Sequence, residues 1–320
     1  MVIRNRDKIS LSGNGDISLQ GAFDRFITYK KAMNLSDDTI TYYNRCFKAF
    51  ADFIGSDTKC NDITENDLVD YIVSLQESDL KDVTKNTHLR GVRAILYFCM
   101  EKEYTKAFKI KLLKVDKTIK ETYTDDDLKK LLRKPNVKDS SFAEYRNWVI
   151  ICFLLGTGAR LRTFSNIKIK DIDFDHAEIM YTETKGRKQY IIPLTDSLSD
   201  ILKEYLQYRK GSEEEYLFCN SYGEMLTRDT IVSAIKDYNT KRGVNKTSIH
   251  LFRHTFAKKW ILNGGDIFRL QKILGHSTLE MVKEYVNMFG SDLKENFETF
   301  NPLENMKDRI KTKGSIKLDK

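Results

Sequence analysis

Helical spacing of apolar residues dominates this chain and limits the folds that it can adopt. Between about residues 19 and 105 the apolar side chains recur every three or four positions, which is the period of an amphipathic helix. Four helices are predicted here, beginning near Phe23, after Ser36, after Thr64 and near Thr84; Ser36 and Thr64 are of the residue types that cap helix starts. Their aromatic residues are interpreted as core rather than as platforms for stacked bases.

The second half of the chain mixes helices with a few strands. A capped helix is predicted after Thr124, and the apolar run 148–155 predicts a buried helix over about 142–156. Short strand patterns follow, and the last two flank a glycine-bearing turn at 184–187, which is typical of a β-hairpin. The predicted strands lie near 171–174, 179–183 and 188–193, and further helices lie at about 195–209, 227–241, 248–263, 266–274 and 278–288.

The segments divide into an arm, two domains, a linker and a tail. We expect a flexible arm over residues 1–18, a helical domain over 19–105, a basic linker over 106–122, a mixed domain over 123–300 and a basic tail over 301–320. The net charge is +8 with a pI near 9.0, which allows a nucleic-acid partner without requiring one. The first fifteen linker residues hold six lysines and one acid.

Composition excludes several classes of protein. Hydrophobic residues make up 41% and charged residues 31%, so the chain can bury real cores and is not disordered. The longest apolar run is far shorter than the roughly 20 residues that span a bilayer. The five cysteines are scattered and form no C-x-x-C pair, which predicts reduced thiols rather than disulfides or a zinc site. With no secretion-signal pattern at its start, the protein is expected to be cytoplasmic.

Common catalytic motifs are also missing from the sequence. It contains no G-x-x-x-x-G-K-[ST] phosphate loop, no H-E-x-x-H and no G-x-S-x-G. The glycines at 156 and 158 close a predicted helix instead of following a strand, and the three aspartates at 125–127 point to different faces of a helix. No cofactor and no metal are therefore expected.

A set of cations, imidazoles and one tyrosine remains as the candidate site. Arg160 follows the buried helix, Lys185 lies in the hairpin turn, and His250 precedes Arg253 by three residues, on one helix face. A glycine turn then presents His276. The set ends at Tyr285, nine residues later.

Four motifs in this order resemble the tyrosine recombinase family, which includes phage integrases and Xer-like enzymes. The motifs are TGARLRTFSNIKIKDID (157–173), TKGRKQYIIPL (184–194), HLFRHTFA (250–257) and LGHSTLEMVKEY (274–285). The resemblance implies a helical (SAM-like) core-binding domain followed by an α+β catalytic domain. It also implies a site-specific recombinase or mobile-element integrase that cuts and rejoins DNA through a 3′-phosphotyrosine, without metal or ATP.

The resemblance assigns a role to each residue of the set. Arg160 and Arg253 would neutralise the phosphate oxygens, as two forked guanidinium groups can. His250 would share the nucleophile's proton and bind a phosphate oxygen, and His276 would donate a hydrogen bond to the phosphate. The acid and the nucleophile would be Lys185 and Tyr285.

Two positions qualify these assignments. Lys188 competes with Lys185 for the role of the acid that protonates the leaving 5′ oxygen, and Lys185 is preferred because it occupies the turn. The family often has an acid three residues after the first arginine, but Thr163 stands there. This leaves open how Arg160 is oriented, but not whether it binds phosphate. His254 and His176 are interpreted as structural.

Double-stranded DNA carrying recombination sites is the expected partner. The candidate DNA-backbone contacts are Lys106, Lys109, Lys111, Lys114, Arg162 and Lys188. By resemblance the protein would act as a homotetramer on synapsed DNA, and as a monomer or weak dimer when free. The amphipathic segment 291–300 would dock into a neighbouring protomer or pack within its own chain. An accessory DNA-bending or excision factor and a nucleoid location, in a bacterial or phage setting, complete the expectation.

Two other functions fit the same residues. A topoisomerase IB-like enzyme would nick and rejoin single duplexes with the same site. A catalytically silent protein would bind DNA only, although the complete residue set argues against a decayed site.

Overall fold

A computed structural model of the chain describes residues 17–115, 121–182, 189–276, 278–287, 298 and 301–305. The chain forms two compact units that divide between residues 118 and 119. Residues 1–16 of the expected arm (1–18), the hairpin turn with Lys185 and Lys188, most of 291–300 and the tail beyond 305 lie outside the described residues.

The first unit contains the four predicted helices. They are α1 (Leu19–Ala32), α2 (Asp37–Ile54), α3 (Glu65–Glu77) and α4 (Asp82–Glu101), with one 3₁₀ turn at Cys60–Asp62. Ser36 stands at the N-cap of α2. Thr64 caps α3 by accepting a hydrogen bond from the Asp67 amide, while the Asp67 carboxylate accepts one from the Thr64 amide.

Aromatic side chains form much of the core of this unit, as predicted. Phe23 and Phe47 stack with ring centroids 3.8 Å apart. Phe26 is fully buried and meets the Phe98 ring edge-on at 5.4 Å. Stacked and edge-on pairs of this kind bury large apolar areas, so these rings stabilise the unit from inside.

The lysine-rich residues 106–115 pack along this first unit. Ile110 is buried in its core, and Phe108 and Leu112 pack against that core. The buried side-chain amide of Asn86 on α4 donates to the Leu113 carbonyl and accepts from the Leu113 amide, both at 2.9 Å. The four lysines of this segment are exposed, whereas Ile110 between them is buried. They are Lys106, Lys109, Lys111 and Lys114.

The second unit is built around a helix buried on all sides. This helix, α6 (Phe142–Thr157), ends at Gly158, whose left-handed φ of +62° terminates it. Before it, α5 (Asp125–Leu131) begins with a capping box at Thr124. Asp127 and Asp125 form ion pairs with Lys246 and Lys259. Because the first turn of α5 is capped and two of its aspartates are ion-paired, the structure agrees with the interpretation of the three aspartates as a helix terminus.

A three-stranded antiparallel sheet packs on one side of this core. Its strands are β1 (Ile172–Asp173), β2 (Glu178–Tyr181) and β3 (Tyr190–Pro193), in the order β1-β2-β3. Ile179 pairs with Ile172 and Ile192, and these side chains point into the core. The predicted strands and hairpin are therefore present.

Helices complete the second unit. They are α7 (Leu161–Ser165), α8 (Asp196–Arg209), α9 (Arg228–Lys241), α10 (Ile249–Leu262), α11 (Ile267–Ile273) and α12 (Glu280–Asn287), with a short helix at Pro302–Asn305. The sequence pattern did not predict α7, because five residues are too few to show a helical period. The prediction of a mainly α fold with a small antiparallel sheet is confirmed.

Two further findings concern the described residues. All five cysteines are buried free thiols, as predicted. None of the helices in the described part of the chain combines the length and apolar character needed to cross a bilayer.

We predict that Asn86→Ala releases the lysine-rich segment from the first unit. The substitution removes both hydrogen bonds to Leu113 and leaves two backbone groups without their partner, which costs about 1–3 kcal/mol. Limited trypsin digestion should then cut within residues 106–114 faster than in the wild type. Thr87→Ala is the control, because the Thr87 hydroxyl bonds only to its own helix at the Val83 carbonyl. Equal cleavage rates in both variants would contradict this prediction.

Candidate active site

Two arginines converge on one backbone oxygen at the centre of the candidate site. Arg160 Nη1 donates to the Leu274 carbonyl at 3.0 Å and to the Gly275 carbonyl at 3.2 Å. Arg253 Nη2 donates to the same Leu274 oxygen at 2.8 Å. Two guanidinium groups that share one acceptor have planar forks aimed at a common point, which is the geometry that binds an oxyanion.

The ends of helices hold these arginines in place. Arg160 is the N-cap residue of α7, just beyond the left-handed Gly158 that ends α6. Arg253 lies in α10, is only 5% exposed and donates through Nη1 to the Gly158 carbonyl at 2.8 Å. Burial, together with the positive charge of Arg160, lowers the pKa of Arg253 to about 10. The group remains a cation at neutral pH, and an anion would relieve its unfavourable environment.

His276 lies against the second arginine. Its Nε2 atom is 2.6 Å from Arg253 Nη2. Because a guanidinium group has no acceptor, the histidine nitrogen accepts this bond and the ring carries its proton on Nδ1. The turn that presents His276 is closed by its own amide, which donates to the Gln271 carbonyl at 3.0 Å.

A tyrosine of the sheet supports the same turn. Tyr190 begins β3, and its ring lies so close to Gly275 that a Cβ atom there would be 2.9 Å from the tyrosine Cζ and Oη atoms. Gly275 also has a φ of +59°. Burial raises the pKa of Tyr190, while the nearby positive charges of Arg253 and Arg160 oppose this rise. Strand β3 is therefore in direct contact with the turn that presents His276.

Tyr285 is buried beside this cluster and contacts two histidines. It is 4% exposed and packs in a small apolar cluster with Ala257, Leu270 and Leu274. Its hydroxyl lies 3.1 Å from His254 Nδ1. Its ring is parallel to that of His276, with centroids 6.1 Å apart. The tyrosine is thus held both at its hydroxyl and at its ring face.

His250 lies one helical turn before His254, near the start of α10. It is exposed, and partial desolvation together with the positive charges of Arg253, Arg228 and Arg160 lowers its pKa. A neutral imidazole beside several guanidinium groups can still donate one hydrogen bond to an anion.

Most of the residues predicted from sequence come together. One continuous cluster contains Arg160, Arg253, His276 and Tyr285. His250 is close enough to the two arginines for their charges to lower its pKa. Arg162 is exposed on α7. Lys185 and Lys188 lie outside the described residues. Thr163 is buried. The carbonyls of Leu274 and Gly275, rather than an acid at position 163, orient Arg160.

Sequence reasoning missed two residues of this cluster. His254, interpreted as structural, contacts the Tyr285 hydroxyl. Its spacing of four from His250 was the available signal, because residues i and i+4 share one helix face. The second missed residue is Tyr190, which carried no sequence signal, since only the fold brings β3 against the turn at Gly275.

His176 was also interpreted as structural, and it pairs with Asp173 at 2.8 Å.

No group of histidine, cysteine, aspartate or glutamate side chains suited to a metal ion occurs among the residues that the structure describes. The two guanidinium groups at the centre of the cluster carry only donors and a positive charge, so they attract anions.

Comparison with known proteins identifies the class. The model of the phage integrase family matches residues 121–290. Tyrosine recombinase XerA of Pyrococcus furiosus is 29% identical over 289 residues, which cover 88% of this chain and 95% of XerA. Tyrosine recombinase XerD of Oceanobacillus iheyensis is 24% identical over 283 residues, covering 84% and 93%.

A solved structure matches the fold over similar lengths. The Tn1549 transposon integrase in complex with transposon right-end DNA has a TM-score of 0.69 and 19% identity, covering 89% of this chain and 99% of that one. Since the family model matches more than half of the chain, the protein belongs to the phage integrase family. It is a tyrosine-type site-specific recombinase, an enzyme that cuts and rejoins DNA strands.

We predict that Gly275→Ala disrupts the site through contact with Tyr190. Gly243→Ala is the matched control, because Gly243 has a similar φ of +70° but has no atom within 4 Å of an added Cβ. The control should lose about 1 kcal/mol of stability from backbone strain. Gly275→Ala should lose about 1–3 kcal/mol more through overpacking. Urea unfolding measures both, and equal losses would show that the Tyr190 contact does not constrain the turn.

Proposed function

We propose that this recombinase attacks a DNA phosphodiester with Tyr285 while Arg160, Arg253, His250 and His276 bind the phosphate. Lys185 is proposed as the acid that protonates the leaving 5′ oxygen. The observation that carries the proposal is the convergence of two guanidinium groups on one oxygen beside a buried tyrosine.

The Leu274 carbonyl gives a measure of how the arginines would hold a phosphate. A carbonyl oxygen and a non-bridging phosphate oxygen both accept N–H donors at about 2.8–3.0 Å. The phosphate carries full negative charge, so it is the stronger acceptor and gains charge-assisted bonds from both forks. Neutralising that charge is what allows a phenolate oxygen to approach phosphorus.

His276 has to change its hydrogen bonding during this step. In the DNA-free site its Nε2 accepts from Arg253. It can donate to a phosphate from Nε2 once Arg253 has turned its Nη2 to the phosphate and the proton has moved to that nitrogen. Binding of the phosphate would thereby reorganise one hydrogen bond and leave the backbone of the turn unchanged.

The covalent intermediate explains how the strands are rejoined. Attack by Tyr285 forms a phosphotyrosyl ester at the 3′ end and releases a 5′ hydroxyl. The ester keeps the energy of the broken linkage, so attack by a 5′ hydroxyl reseals the DNA with no ATP. The proposed chemistry uses only side chains that are present in the chain.

The first unit is proposed as the core-binding domain, over residues 19–105, with 123–300 as the catalytic domain and 106–122 as the link. The exposed lysines of residues 106–114 are interspersed with apolar residues, of which Ile110 is buried and Phe108 and Leu112 pack against the core of the first unit. Cations displayed in a row on a fixed scaffold suit the regular phosphates of a duplex.

The biological setting that we propose is integration or excision of a mobile element by a tetramer on two synapsed duplexes, with an accessory factor where the sites are bent. The similarity of fold to a transposon integrase that binds transposon end DNA supports this setting by analogy. Dependence of the reaction on two paired sites would distinguish recombination from relaxation of single duplexes.

We predict that Tyr285→Phe abolishes the covalent protein–DNA complex but keeps DNA binding. The probe is a set of nicked duplexes made from the DNA that flanks the encoding gene. Covalently trapped duplexes are recovered from a denaturing gel after incubation without magnesium and are then sequenced. Tyr222→Phe is the control, because this tyrosine is 89% exposed, on a turn. An adduct that persists in Tyr285→Phe would refute the assignment of the nucleophile.

We also predict that the exposed lysines set the salt dependence of DNA binding. Replacing Lys106, Lys109, Lys111 and Lys114 with glutamine should reduce the slope of log affinity against log salt by up to about 0.9 for each lysine that binds a phosphate. Lys168→Gln with Lys170→Gln is the control, because both lysines are already paired with Glu214. Similar slopes in the wild type and the quadruple variant would exclude the lysines from the interface.

A further inference from the structure

One contact in the cluster is not explained by phosphate binding. His254 Nδ1 lies 3.1 Å from the Tyr285 hydroxyl, and the two rings are 5.5 Å apart at 51°. His254 is half-buried on α10, whereas Tyr285 is on α12. The contact therefore joins two helices, and packing of those helices sets its geometry.

The surroundings of the tyrosine restrict where its hydroxyl can point. Leu270, Leu274 and Val282 are fully buried around it, and His276 lies parallel to its ring. A tyrosine side chain has only two torsions that move its ring, and close packing of the ring limits both. The packed core therefore helps to fix the hydroxyl, which contacts His254 and also interacts with the Arg253 guanidinium group.

Attack by a tyrosine requires a proton acceptor. A phenol has an ordinary pKa near 10 and is a poor nucleophile while protonated at neutral pH. A neutral imidazole is the side chain best matched to take a proton near pH 7. With its own proton on Nε2, His254 presents the lone pair of Nδ1 to the Tyr285 hydroxyl.

The two histidines of α10 have different neighbours. His250 is influenced by the charges of Arg160, Arg228 and Arg253, where the phosphate is proposed to bind. The Tyr285 hydroxyl hydrogen-bonds to Nδ1 of His254, four residues later. The two imidazoles on this helix face therefore suit different roles, His250 at the phosphate and His254 at the nucleophile.

We propose that His254 positions the Tyr285 hydroxyl and accepts its proton when DNA is cleaved. The inference deepens the proposed function, because it rests on Tyr285 as the nucleophile. In this step the bond from Tyr285 Oη to phosphorus forms, the bond from phosphorus to the 5′ oxygen breaks, and the phenol proton moves to His254 Nδ1. The leaving oxygen takes its proton from the separate acid. Rejoining reverses the transfer, so His254 returns the proton to Tyr285 as the tyrosine leaves.

Helix α10, which carries His254, packs against α11 and α12, and charged groups occur on all three helices. Its own helix carries His250, Arg253 and Lys258, and the turn before α12 carries His276. Helix α11 carries the exposed Arg269 and Lys272. On α12, besides Tyr285, Lys283 and Glu280 pair with each other at 3.1 Å. Any pH dependence must therefore be assigned by substitution, because His250 and His276 also carry imidazoles on or beside these helices.

The test compares His254→Asn and His254→Ala with the wild type, using the full chain and the nicked duplex that the wild type traps. Asparagine can still hydrogen-bond to the hydroxyl but cannot take its proton, whereas alanine can do neither. At saturating protein and pH 7.5, we expect both variants to form the covalent complex about 10²–10⁴-fold more slowly, with unchanged DNA affinity. His176→Ala is the control, because that histidine is exposed and pairs with Asp173.

The pH profile separates a proton acceptor from a packing residue. The wild-type cleavage rate should fall as the pH drops below the imidazole pKa, ordinarily about 6.5, because the protonated ring cannot accept. This acid limb should be absent in His254→Asn, which does not titrate. A wild-type rate and an unchanged acid limb in His254→Asn would overturn the proposal. Loss of the limb in His250→Asn instead would assign the proton to His250.

Failure of the inference is distinguishable from failure of the proposed function. If Tyr285→Phe still forms the adduct, the nucleophile is wrong and His254 has no role as its acceptor. If Tyr285→Phe is inactive while His254→Asn cleaves at the wild-type rate, only the inference fails. Melting temperatures of both His254 variants confirm that the compared proteins are folded.

Discussion

The hydrogen bonds of two arginines to the Leu274 carbonyl are the interaction on which the rest of this site depends. Arg160 comes from the start of one helix and Arg253 from the middle of another, and each would repel the other without a shared acceptor. The carbonyl holds both guanidinium groups before any DNA is present, so little side-chain freedom remains to be lost on binding. Donors that are already held close to a common point need only a small movement to bind developing charge.

Around this oxygen, the fold brings together elements that are far apart in the chain. Gly158 ends the buried helix and offers its carbonyl to Arg253, while Tyr190 of the sheet packs against Gly275. The hairpin, the helix end and the histidine turn are therefore mechanically linked. A change in any one of them reaches the arginines through a packed contact, because close-packed interiors transmit displacement.

Burial of Tyr285 has a consequence for control of the reaction. The proposed nucleophile packs among leucines, with its ring parallel to that of His276, so its side chain is shielded from bulk solution. Its hydroxyl meets an acceptor, His254, within the same protein. The cluster thus places the proposed nucleophile directly beside Arg253 and His276, two groups that are proposed to bind the phosphate.

The sequence by itself determined the helical class, the hairpin, the capped helix starts and the order of Arg160, His250, Arg253, His276 and Tyr285, because these depend on local spacing and residue type. Tertiary structure alone decided which oxygen orients Arg160, which histidine meets Tyr285 and where the lysines of residues 106–114 are displayed. Each of these depends on contacts between residues distant in sequence, such as Asn86 with Leu113. Such contacts follow from how helices pack, and a periodic pattern fixes only which face is buried.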